Sequence, residues 1–122
     1  MLSLYERIGG TEMVEAIVDL FYEKVLLDMR LKHFFDETSM DHLYAHQKLF
    51  IMYIFGGAGS YVGKSMRDAH RHLVENMGLD DEHFDAMIEN LENALIELDL
   101  DADSVAEAIE ITESLRHKVL NR

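Results

Sequence analysis

Apolar residues recur along this chain at the three- and four-residue spacing of an α-helix, and no useful length alternates with the period of two that a half-buried strand needs. With residues placed at about 100° steps, Val14, Ile17, Val18, Phe21 and Val25 share one face and Glu15, Asp19 and Glu23 lie opposite. The pattern predicts a helix starting just after Gly9-Gly10, with Thr11 as its N-cap and Tyr22 on the flank of its buried face. A short segment from Leu31 to Phe35 follows and ends in an aromatic pair. Thr38-Ser39-Met40-Asp41 then has the composition of a helix cap. Beyond it Leu43, His46, Gln47, Phe50, Tyr53 and Ile54 fall within a stripe about 120° wide.

Four glycines in the eight residues from Gly56 to Gly63 would cost a helix too much entropy, so an irregular loop is predicted there. A third helix should begin near Ser65, with Met66, His70, Leu73, Val74 and Met77 on one face and Asp68, Arg71, His72 and Glu75 opposite, and should end at Gly78. Asp80-Asp81-Glu82 opens a fourth, whose buried side carries Phe84, Met87, Ile88, Leu91, Leu95 and Leu98. A fifth runs from about Ser104, with Val105, Ile109, Thr112 and Val119 inward. The fold predicted is all-α, with about five main helices and no internal repeat. At 122 residues without proline, the chain reads as one domain over 1–122.

Two histidines stand out against this pattern. His46 and His70 each interrupt the apolar stripe of a different helix, so folding would carry two imidazoles toward one apolar interior. Either ring could be satisfied there by a backbone carbonyl, as core histidines commonly are, or the pair could face a metal cofactor in an apolar pocket. Composition narrows the cofactor. The chain has no cysteine, which excludes disulfides, thiolate ligands, iron–sulfur clusters and thioether attachment of haem. The formal charge of −13 would repel nucleic acid and anionic membrane surfaces, and solubility is its plainest reading. The N-terminal residues lack the basic start and apolar run of a signal peptide, and the apolar stretch Leu49 to Phe55 is too short to span a bilayer. A cytoplasmic protein is expected.

Other motifs fail on geometry. The stretch from Gly57 to Ser65 has the look of a phosphate-binding loop, but the motif requires glycine where Ala58 stands, and a strand where the pattern before it is helical. His70 and His72 point about 160° apart on a helix, and the chain has no Glu-x-x-His motif for a di-iron bundle. His33, His42 and His72 are therefore read as exposed. A haem, by contrast, needs one neutral imidazole, flat apolar walls and polar groups at the rim. His46 or His70 could serve as axial ligand, Phe21, Phe34, Phe35, Phe50, Met66, Leu73 and Phe84 as walls, and Tyr53, Lys64 and His83 as partners of the propionates. Core packing alone accounts equally well for the aromatic residues and methionines.

Several pieces taken together resemble the group I truncated haemoglobins, the small globins with a two-over-two helical sandwich around a haem, in particular those of cyanobacteria. They are Leu4-Tyr5 before Gly9-Gly10, Phe21-Tyr22, His33-Phe34-Phe35, Ala45-His46-Gln47-Lys48 with Phe50, the glycine loop, Gly63-Lys64-Ser65-Met66 leading to His70, and His83-Phe84-Asp85. The resemblance spans nearly the whole chain and implies haem b, one per chain, with His70 as proximal ligand. It gives Tyr22 and Gln47 the role of hydrogen-bonding a bound diatomic ligand, and Leu43 stands where some members have a further polar residue. It makes His46 a conditional sixth ligand, which an incoming gas would first have to displace. His117 invites comparison with members whose C-terminal histidine bonds to the haem, but its spacing is off, and an exposed side chain is expected.

The function implied is reversible binding of dioxygen, nitric oxide or carbon monoxide, with conversion of nitric oxide to nitrate as an extension that would need an external reductase. A bis-histidine haem protein for electron transfer or redox signalling is the alternative, and an acidic helical interaction module without a cofactor is a third.

Overall fold

Gly9 takes a φ of +120°, a left-handed conformation that ends α1 (Leu4–Ile8) and at the same time makes it the N-cap of α2 (Gly10–Leu27). This displaces the predicted cap at Thr11, which lies inside the first turn with its hydroxyl bonded to the Tyr5 phenol. The periodicity missed α1 because five residues are too few to show a stripe. The computed structural model describes residues 3–35, 40–55 and 66–122. After α2 come a 3₁₀ turn (Lys32–Phe35), α3 (Met40–Phe55), α4 (Met66–Met77), α5 (Asp81–Glu97), α6 (Ala102–Glu113) and α7 (Arg116–Val119). Among the described residues all regular structure is helical, as predicted. The predicted glycine loop, Gly56 to Gly63, lies outside them.

Local chemistry explains most boundaries. Gly78 has a φ of +76°, and the Leu79 N–H returns to the Leu73 carbonyl at 3.0 Å, closing α4 with a six-to-one bond where the sequence predicted a stop. Asp80 caps α5, accepting from the Glu82 N–H, while the His83 ring accepts from the Asp80 N–H at 3.1 Å. The fifth predicted helix starts two residues earlier than expected. Asp101 is the cap, and Ser104, in the first turn, is buried, giving its N–H and hydroxyl to the Asp101 carboxylate. That helix also breaks at Ser114-Leu115 into α6 and α7, although Val119 remains buried as the pattern required. The bond from the Thr112 hydroxyl to the Ala108 carbonyl, at 2.8 Å, is of the kind that bends helices just before such a break.

Packing follows from the stripes. Val14, Ile17, Val18, Phe21 and Val25 are all buried, and α2 lies against both α3 and α5. A connection of only four residues turns α5 back into α6, so two helix pairs, α2 with α3 and α5 with α6, face each other across a core that includes Ile51, Ile54, Leu91 and Leu95. Helix α4 is held against α7. Asn90 fixes the crossing of α2 and α5 from inside, donating to the Asp28 carboxylate and the Ala86 carbonyl at 2.9 Å each.

Candidate functional site

The polar residues along α2 and α3 pair in antiparallel rungs. Lys48 reaches Glu15 at 3.3 Å, and four residues earlier on α3 the Tyr44 hydroxyl donates to Asp19 at 2.8 Å, four residues later on α2. Glu15 and Asp19 thus occupy the polar side of α2, as predicted, but meet α3 there. The bond to Asp19, with burial second, raises the Tyr44 phenol above its ordinary pKa, because the carboxylate stabilises the protonated hydroxyl and repels its anion. The Tyr44 ring also meets Tyr22 edge to face, with centroids 5.9 Å apart. Tyr22 is half-buried, on the flank where the helical pattern set it.

Gln47 follows Tyr44 by three residues on α3 and is 7 % exposed. Its Oε1 is buried without a hydrogen-bond partner among the described residues. A polar atom left in this state costs about 1–3 kcal/mol, so it marks a place where a partner would be favoured. Phe50 and Ile54 on the same stripe are buried, and Tyr53 is half-buried.

His70 is half-buried on α4, as are Leu73, Val74 and Met77, while Arg71, His72 and Glu75 are exposed, so the two faces of α4 divide as the sequence predicted. His72 is held by Asn76 at 2.8 Å. His46 lies within α3 and Met66 begins α4, but their side chains, with those of Phe35, His42 and Leu43, lie outside the described residues, as does the whole of Lys64.

A third group forms where the 3₁₀ turn meets α5. Phe34 is buried, His83 half-buried, and the Phe34 and His83 rings meet edge to face at 4.8 Å. His33, although exposed, stacks on Phe34 at 4.0 Å and approaches His83 at 5.8 Å. Phe84 is buried beneath Arg116, whose guanidinium carbon is 4.7 Å from the ring centroid. Arg116 also pairs with Glu113, Asp81 and Asp85, and Arg122 bonds Asp81 from the chain end. These contacts, led by Arg122 and then Arg116, hold the Asp81 carboxyl down to about 2. His117 beside Arg116 is exposed, as expected from its spacing.

Sequence reasoning missed Tyr44, Asp19 and Arg116. The only signal for the first two is a pair of matched four-residue spacings, Glu15 with Asp19 and Tyr44 with Lys48, which carry meaning once α2 and α3 are known to be antiparallel neighbours. Among the described residues no three His, Cys, Asp or Glu side chains stand together as a metal site, and no helix is long and apolar enough to cross a membrane.

The bacterial-like globin family matches residues 3–121. A group 1 truncated haemoglobin of Synechocystis sp. PCC 6803 is 48% identical, over all of both chains, and one of Tetrahymena pyriformis is 42% identical over 98% of this chain and 96% of its own. The crystal structure of the 2/2 haemoglobin from Synechococcus sp. PCC 7002, in the cyanomet state and with covalently attached haem, superposes with a TM-score of 0.93 at 47% identity. It covers 99% of this chain and 100% of that one. Sequence over the full length and helical arrangement agree, and this chain belongs to the bacterial-like globin family, with the all-α two-over-two fold of the truncated haemoglobins.

Proposed function

We propose that this globin binds one haem b and, through it, dioxygen, nitric oxide or carbon monoxide, with His70 as the axial ligand of the iron. The observation that carries the reading is the unpartnered Gln47 Oε1, a buried polar atom on an otherwise apolar stripe. A haem, when bound, supplies an iron centre that takes a diatomic gas reversibly.

The protein's own part is to hold, shield and polarise. Phe34, Phe50, Leu73 and Phe84, with Phe35 and Met66, supply apolar surface that keeps water from the cofactor, while Tyr53, Lys64 and His83 are its candidate partners at the polar rim. Tyr22 donates from a phenol and Gln47 from its amide, which can turn to present its N–H₂ in place of Oε1. Donors placed in a dry site stabilise negative charge on a ligand more strongly than water does, so their effect is slow release of the ligand. His46, with its conditional role as a second axial ligand, competes with the gas for the same place. The acidic, cysteine-free composition supports a cytoplasmic setting and offers nothing to a nucleic acid or a membrane surface.

The absorption spectrum of the purified protein tests this. A Soret band that is lost in His70→Ala is expected; unchanged haem and unchanged axial ligation in that variant would overturn the assignment. The gas-free ferrous spectrum reports His46 directly: low-spin and six-coordinate if it ligates, high-spin and five-coordinate if it does not. Nitrate formation from nitric oxide beyond one equivalent, in the presence of a reductase, distinguishes turnover from binding.

A further inference from the structure

We propose that Tyr44 is a positioning residue for Tyr22, holding that phenol in the orientation from which it donates; the inference rests on the ligand-stabilising role just given to Tyr22. Tyr44 uses both ends of its side chain. Its hydroxyl is anchored on Asp19, and its ring packs edge-on against Tyr22, which lies three residues beyond Asp19 on the same helix. Because the Tyr44 proton is directed at the Asp19 carboxylate, Tyr44 does not itself donate to a ligand, and its influence passes through the ring contact.

The second rung strengthens the argument. Lys48 and Glu15 repeat the bridge one turn along, so α2 and α3 are pinned at two points of matching spacing. Gln47 lies between Tyr44 and Lys48 in sequence. The rungs that fix Tyr22 therefore also fix the register of the helix segment carrying Gln47. A partly exposed ion pair such as Lys48–Glu15 adds little stability by itself, but it opposes sliding of one helix along the other. A half-buried tyrosine has two side-chain torsions to settle, and a neighbouring ring in edge-to-face contact narrows the orientations open to it.

The test uses haem-loaded ferrous protein and three readouts: the dioxygen dissociation rate, the stretching frequency of bound carbon monoxide, and the Tyr22 ring resonances in ¹³C-tyrosine-labelled protein, assigned with Tyr22→Phe. Tyr44→Leu should speed dissociation about fivefold, and Tyr44→Phe and Asp19→Ala about twofold, each moving the carbon monoxide band and the Tyr22 resonances. Asp19→Asn keeps an acceptor oxygen and should restore values near the parent. In a Tyr22→Phe background the same changes should fall within about 1.5-fold, because the coupling partner is gone. Parent-like rates and resonances in Tyr44→Leu, or an effect that persists undiminished without Tyr22, would overturn the proposal. If Tyr22→Phe alone leaves dissociation unchanged, the ligand-stabilising role fails. The Tyr22 resonances in the Tyr44 variants then decide the positioning claim by themselves: shifted resonances uphold it and unshifted ones overturn it. Should Tyr44→Leu not fold, Tyr44→Phe and Asp19→Ala decide the outcome.

Discussion

Arg116 at the start of α7 and Gln47 on α3 are both drawn largely out of solvent, but they end in opposite conditions. The guanidinium lies over Phe84 and meets Glu113, Asp81 and Asp85, so its charge is compensated by three carboxylates. The amide oxygen of Gln47 has no hydrogen-bond partner among the described residues. Polar groups that satisfy one another hold the C-terminal helices to the start of α5 and leave no capacity for a guest. The polar group on α3 keeps its capacity, at a cost in stability that the rest of the fold absorbs. The difference sets a cluster of mutually satisfied charges apart from a buried amide with hydrogen-bonding capacity unused among the described residues.

The comparison can be broken most directly at Arg116. Arg116→Met should lower stability by about 1–3 kcal/mol in urea denaturation, through loss of both the pairs and the aromatic contact, while changing dioxygen dissociation less than about twofold. A large change in dissociation would mean that the C-terminal clasp belongs to the site after all. Gln47→Leu should do the reverse: release about tenfold faster, a difference of about 1.4 kcal/mol, with stability unchanged or raised by up to about 1 kcal/mol as the unpaired oxygen is removed. If its urea midpoint instead falls as far as that of Arg116→Met, Gln47 is structural and the contrast fails.

The smallest effect is expected at Asp81, whose side chain is exposed. Its carboxyl is held from 3.8 down to about 2, chiefly by Arg122 and then Arg116. A depressed carboxylate pKa stabilises the fold fully above the unfolded value, and the contribution is lost as pH falls through the folded one. Asp81→Asn should therefore have a lower urea midpoint than the parent near pH 6, and the gap should narrow between pH 3.8 and about 2. A gap that persists at the acid end would assign it to packing rather than charge.

What the sequence disclosed followed the range of each interaction. The stripe from Val14 to Val25, the stop at Gly78, the acidic opening of α5 at Asp80-Asp81-Glu82 and the division of α4 into a half-buried His70 face and an exposed His72 face are set within a turn or two of chain, and each is found where the pattern put it. Thr11 was misread because Gly9, with no side chain to cap with, does the capping through its torsion. The fifth helix starts at Ala102 rather than near Ser104 because Asp101, three residues before Ser104, accepts the Ser104 N–H and caps the first turn. The bridges of Tyr44 to Asp19 and Arg116 to Asp81 and Asp85 span 25 to 35 residues, and no local period encodes them. Gln47 is intermediate: the stripe put it inside, but only the assembled neighbours reveal that its oxygen has no partner.

The end of α4 is finally a matter of handedness rather than fit. Among the described residues beyond its own chain neighbours, nothing lies within 4 Å of where a β-carbon on Gly78 would stand, so space does not exclude a side chain there. Chirality does: at a φ of +76° an L-residue crowds its own backbone, whereas its mirror image would rest without strain. The helix that carries His70 is thus terminated by the symmetry of a single α-carbon, a stop set by the backbone's own handedness.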